Sequence, residues 1–331
     1  MLANWILIAA GAVHFLSAAA APSSPNTVIQ VEIREESQGQ DKVPEGPKLT
    51  AEESRRVNFG HYAVPQTLQS LLDLQEELGD SERFYDALYF NVNTGNFRYA
   101  STPSDVIVFG NVGVDGIHFG FLTDYGTVTD LEEAPIVTVS PMDFDRPTRI
   151  VARNLREFLR VNLTDENLFI NSFRSEAEYL EAKRRWAEEE KNSPYRRTEE
   201  EIQARQKVVE ELGKRIPMPE IGTSAFAYVQ NANEERSKRI TVPTMDGLGV
   251  TVPLEHGRTH EAFPVNKDDG IDLEKLRAYL AGASRADKLA LFRDIQMNFI
   301  LPQEKELRTL ILAELRSLGL NEEAARIDES Y

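Results

Sequence analysis

The stretch DVIVFGNVGVDGIHFGFL, residues 105–122, decides the fold class. Val106-Ile107-Val108-Phe109 is a short run of β-branched and aromatic side chains, the pattern of a buried strand. GNVGVDG then breaks the run with glycines at 110, 113 and 116, a composition suited to a tight turn. Beyond it Ile117, Phe119 and Phe121 alternate with His118, Gly120 and Leu122, which places three large apolar groups on one sheet face. The glycines do not spell a phosphate loop. Neither G-x-G-x-x-G nor G-x-x-x-x-G-K-[ST] is present, and a strand follows instead of a helix N-terminus.

Working outward, Pro65 precedes Leu68, Leu71, Leu72 and Leu78, a helical stripe that Gly79 can end in a left-handed cap. FYDALYFNVNTGNFRYA reads as a hairpin turning at Asn93-Thr94-Gly95, with Gly95 at positive φ. Asp124-Tyr125-Gly126 is a turn, and Pro135-Ile136-Val137-Thr138-Val139 a further strand. Ile150, Val151, Leu155, Phe158 and Leu159 predict a closing amphipathic helix within RIVARNLREFL. Helix, mostly antiparallel strands, then helix define an α+β unit over residues 58–163. His118, between Ile117 and Phe119, reads as a structural histidine, and Asp115 as a turn residue.

This segment contains no lysine, and it is the most acidic part of the chain per residue. Asp124, Asp130, Glu132, Glu133, Asp143 and Asp145 cluster around the Pro135 strand. They predict either a solvated loop face or an acidic face for a basic partner. Their spacing lacks the D-x-D-x-D-G ladder of a calcium loop.

The ordered set VPQTLQSLL, DVIVFGNVGVDGIHFGFL, APIVTVSP and IVARNLREFL resembles the SUKH superfamily, the Smi/Knr-type domain, over about residues 58–163. The resemblance implies an antiparallel sheet flanked by N- and C-terminal helices, and a binding module with no catalytic residues, cofactor or metal. It implies an immunity protein that occludes the active site of a basic toxin domain such as a nuclease or deaminase. The alternative within the family is a scaffold or regulatory protein, related to cell-wall signalling, without a toxin partner. On this reading the six acids are the partner-binding residues.

Residues 175–191 and 198–214 are helix-prone, with acids early and bases late, and predict a charged helical hairpin over 164–220. SAFAYVQ, RITVPTM and GVTVPLE suggest an irregular β patch over 221–268, turning at Met245-Asp246-Gly247. Leu273, Leu276 and Leu280, then Leu289, Leu291, Phe292 and Ile295 after Ser284, then Leu307 to Leu318 after Pro302, predict three amphipathic helices within 269–331. His256 and His260, with Glu261, are spaced for zinc only on a helix; Gly257, Pro253 and Pro264 favour a polar loop.

Residues 5–16, WILIAAGAVHFL, followed by small residues, outline an apolar leader over 1–21 that lacks a basic start. The family resemblance implies the cytoplasm; a working signal peptide would imply secretion. Residues 22–57 read as a disordered linker, though Thr50-Ala-Glu-Glu can open a helix through a capping box. Across 331 residues, 54 acids against 37 bases give a net charge of −17, which argues against direct nucleic-acid binding. No cysteine is present, so disulfides and thiolate chemistry are excluded. No apolar run reaches membrane-spanning length.

Overall fold

The computed structural model describes residues 49–144, 146–194, 196–266 and 270–330. The apolar leader and the linker as far as residue 48 lie outside the described residues. The chain is α+β, with a five-stranded sheet in the order β1-β2-β3-β4-β5, every neighbouring pair antiparallel.

Helix α1, Ala51–Phe59, begins inside the expected linker. Thr50 and Glu53 form the reciprocal capping box, and Asn58 and Phe59 are buried at its end. Helix α2, Gln66–Leu78, ends at Gly79 in the left-handed conformation, as its sequence requires. FYDALYF departs from the expected hairpin: Ser81–Leu88 is helix α3, started by the Asp80 side chain accepting from the Glu82 and Arg83 amides. Only Asn91–Val92 is strand, β1, and Gly95 is not at positive φ; Tyr89 takes that conformation instead.

Strands β2 (Val106–Asn111), β3 (His118–Leu122) and β4 (Ile136–Val139) stand where the sequence puts them. RIVAR does not begin the closing helix. Thr148–Ala152 is strand β5, paired with β4, and helix α4 starts at Leu155 after Asn154 caps the Glu157 amide. Three β-branched residues, Thr148, Ile150 and Val151, suit a pleated ladder, and the Asn cap sets the boundary between the two elements. Gly120 of β3 permits close strand approach: a Cβ there would lie 2.4 Å from Val106 and 2.8 Å from the Ile107 carbonyl oxygen.

Beyond α4 (Leu155–Asp165) come α5 (Asn167–Ile170), α6 (Glu176–Lys191), α7 (Glu199–Arg215) and α8 (Ala225–Ser237). Helices α6 and α7 exist as expected, but their main packing is not with each other. Helix α7 lies on α3 and α2, and α6 on α8. SAFAYVQ belongs to α8, not to a strand, because Ser224 caps the Ala227 amide. The expected β patch reduces to a hairpin with one bridge, Val242 to Val250, turning at Gly247.

Helices α9 (Leu273–Gly282), α10 (Arg285–Met297) and α11 (Lys305–Ser317) match the three amphipathic stripes; α12 (Asn321–Asp328) was not foreseen. Ser284 caps α10 as expected, whereas α11 starts at Lys305 instead of Pro302.

Both sheet faces are covered. Ile107, Phe109, Phe119, Phe121, Ile136 and Val151 pack with Phe90, Phe158 and Phe169 in the main core. Val106, Val108, Leu122, Val137, Val139 and Ile150 pack under Ala232 of α8 and Leu248 of the hairpin. The C-terminal helices enclose a further core, which Tyr125 from the sheet unit enters. The predicted tail is therefore part of the fold.

Candidate protein-docking surface

The six acids expected to form one face are divided among different tasks. Asp124 is buried: Arg236 of α8 donates to both its oxygens, at 2.5 and 2.7 Å, so it is not available to a partner. Glu132 accepts from the Thr67 amide and hydroxyl at 2.8 and 2.7 Å. It thereby supplies the cap at the start of α2 that Pro65 cannot make. Asp130 accepts from the Glu132 amide and starts the 3-10 turn Leu131–Glu133. Glu133 is exposed and pairs with Arg156 at 3.2 Å. Asp143 accepts from the Arg146 amide, and Asp145 lies outside the described residues.

Topology separates the remaining acids as well. The 3-10 turn precedes β4, and residues 140–147 follow it, so Glu133 and Asp143 belong to opposite ends of that strand. Among the described residues, these acids are therefore divided between the two ends of β4 and the interior.

The β4–β5 loop does expose two large apolar side chains. Met142 and Phe144 are 65% and 67% exposed, with Asp143 between them. The loop is anchored by Ser140 N–H donating to Pro147 O at 2.7 Å and by Asp143 N–H donating to Ser140 O at 2.9 Å. Large apolar groups held in water on a braced loop have no role in the core, and this is the usual character of a contact site. In the sequence these two side chains stand between Pro141 and Pro147 with no periodicity that marks them as exposed.

The histidines divide cleanly. His118 is buried, its Nδ1 lies 2.7 Å from the Gly116 carbonyl, and its Nε2 lies 3.0 Å from the Thr102 hydroxyl. A carbonyl only accepts, so Nδ1 carries the proton and Nε2 accepts from Thr102. Burial pulls its pKa down to about 4, which keeps it neutral in the structural role its sequence setting suggested. His256 and His260 sit in a loop without helix, and His260 Nδ1 contacts Asp287 at 2.6 Å. Among the described residues no cluster of three or more His, Asp or Glu side chains is arranged to hold a metal ion. Also among them, no helix is long and apolar enough to cross a membrane.

Sequence reasoning missed the buried ionic seam joining the sheet unit to the C-terminal helices. Arg293 of α10 donates to Asp105 at 2.6 Å and to Asp246 of the hairpin at 3.2 Å. Arg326 of α12 donates to the Asn58 and Ser104 carbonyls, at 2.8 and 2.9 Å. These groups are consumed in holding layers together. No protein-family model and no curated protein matches the sequence.

Proposed function

We propose that this chain is a non-catalytic protein-binding module of SUKH type, an immunity protein that neutralises a bacterial toxin domain by covering its active site. The exposed pair Met142 and Phe144 on the β4–β5 loop carries this reading. Covering such a side chain on a partner contributes about 1.5–3 kcal/mol, so two of them can anchor an interface. Asp143, placed between them, suits a basic groove such as that of a nuclease or deaminase, where charge complementarity favours the right partner. In this role the protein works in the cytoplasm, without cofactor or metal.

The test uses the full chain and the toxin domain encoded beside its gene. Calorimetric titration is expected to give nanomolar binding. The double substitution Met142→Ser and Phe144→Ser is expected to weaken it about 100-fold, or about 2.7 kcal/mol. Both side chains are exposed, so thermal stability should change little. Wild-type protein that ignores every neighbouring toxin domain, yet captures a cell-wall or signalling protein through the same loop, would replace immunity with the scaffold reading. Undiminished toxin binding by the double variant would remove this loop as the docking element.

A further inference from the structure

We infer that the cavity between β5, α5 and α8 is a binding site for a phosphate group. It has a volume of about 50 Å³, and Arg146, Arg149, Asn171, Ser172, Gln230 and Asn233 supply its polar lining.

The described residues include four buried arginines, and three have carboxylate partners. Arg236 meets Asp124, Arg293 meets Asp105 and Asp246, and Arg326 lies 3.5 Å from Glu323. Arg149, only 9% exposed, is the exception. Its Nη2 donates to the Phe169 and Asn171 carbonyls at 2.7 and 3.2 Å, and its Nη1 to the Ser172 hydroxyl at 3.3 Å. All three acceptors are neutral. Among the described residues no carboxylate stands within ion-pair distance of it. Burial lowers its pKa to about 10; Asp143 eases the deficit and the neighbouring Arg146 deepens it.

A buried cation without a counter-charge is costly, and an anion placed beside it removes that cost. The cavity supplies the place. Arg146, at the entry to β5, brings a second guanidinium, which forms no ion pair or hydrogen bond with another described side chain. Ser172 accepts from Arg149, so its own hydroxyl proton remains to be donated. The two carbonyls take both N–H groups of Nη2 and Ser172 takes one of Nη1, which fixes the guanidinium and leaves a single Nη1 N–H and the Nε N–H for an oxyanion. A cavity of this size holds a group of a few heavy atoms, which admits phosphate.

Calorimetry and thermal melting of the full chain with inorganic phosphate test the site, with acetate and chloride at equal ionic strength as comparisons. Phosphate is expected to bind and raise the melting temperature above both. Arg146→Ala should weaken binding about tenfold, and Asp143→Asn should tighten it about threefold by removing a nearby negative charge. Without phosphate, Asp143→Asn should lower the melting temperature slightly and Arg146→Ala raise it slightly, because Asp143 eases and Arg146 deepens the burial cost of Arg149. Glycerol phosphate distinguishes the sources: binding equal to that of inorganic phosphate supports a phosphomonoester entering from the open side, and weaker binding supports the free ion. Phosphate binding no better than acetate, or an Arg146→Ala variant with unchanged affinity, would overturn the site. Arg149→Lys retains charge but loses the fork; should it fail to fold, the other two variants still decide.

Discussion

Replacing Arg293 with methionine is expected to cost the fold about 3–5 kcal/mol, the usual penalty for removing one member of a buried ion pair. Methionine fills similar length, so little of this cost is cavity. The loss lies in what the substitution leaves behind. Asp105 and Asp246 are both buried, and Arg293 donates to them at 2.6 and 3.2 Å while its guanidinium stands 5.2 Å from the Tyr125 ring centre. One Asp105 oxygen already lacks a hydrogen-bond partner among the described residues. Without Arg293 the other loses its partner too.

The pH dependence follows from the sign of the shift. Burial raises the Asp105 pKa from 3.8 to about 6, even with Arg293 beside it. A carboxyl whose folded pKa is raised favours the fold when protonated, so its penalty is present above about pH 6 and is relieved as pH falls toward its unfolded value. Losing Arg293 raises that pKa further. The deficit of the variant relative to wild type should therefore be largest near pH 7.5 and shrink by pH 5. Urea denaturation at the two pH values measures this. Adding Asp105→Asn should recover part of the loss at pH 7.5, because a neutral amide replaces an unpaired charge. An Arg293→Met variant as stable as wild type at neutral pH would show that the seam contributes no cohesion.

The seam also marks where the sequence ceases to be readable. Elements set by neighbours along the chain were legible. The strands around GNVGVDG follow from period-two alternation, and the Thr50 capping box forms with Glu53 as its spacing requires. Errors arose where composition outweighed a cap. FYDALYF is aromatic enough for a strand, but Asp80 supplies two side-chain bonds to amides, and Phe84, Ala87 and Leu88 bury one helical face. SAFAYVQ was misread in the same way, against the Ser224 cap. Ile150 and Val151 fit either period, and pairing with β4 decided between them.

The candidate site depended on longer-range facts. Asp124 looked like one more surface acid, although its partner lies 112 residues away; Asp105 and Arg293 are 188 apart. An ion pair leaves no periodic trace, so a single sequence cannot distinguish a buried acid from a solvated one. Proximity in sequence groups the acids of the Pro135 segment, whereas the fold turns Asp124 inward to Arg236 and Glu132 to the start of α2. The exposure of Met142 and Phe144 likewise depends on the tertiary packing, which no local pattern encodes.

Phe90→Ala is expected to destabilise the protein by about 3–5 kcal/mol, as large aromatic truncations in a packed core do. Phe90 follows α3, is fully buried, and meets four other rings edge-on: Phe158 at 5.6 Å, Phe119 at 5.7 Å, and Phe84 and Phe109 at 6.4 Å. Each such pair contributes about 0.5–1.5 kcal/mol beyond burial, and those partners come from α3, β2, β3 and α4. Collapse into the space is resisted on several sides. Gly110 of β2 already approaches so closely that a Cβ there would lie 2.9 Å from the Phe90 ring. Phe90→Leu retains most of the volume and should cost less, about 1–2 kcal/mol, losing chiefly the ring contacts. Chemical denaturation with an unchanged m value separates lost stability from a change in the denatured state. A loss below about 1 kcal/mol for Phe90→Ala would mean that the helices close onto the sheet without this ring. That result would place the joint between α3 and the sheet elsewhere in the aromatic cluster.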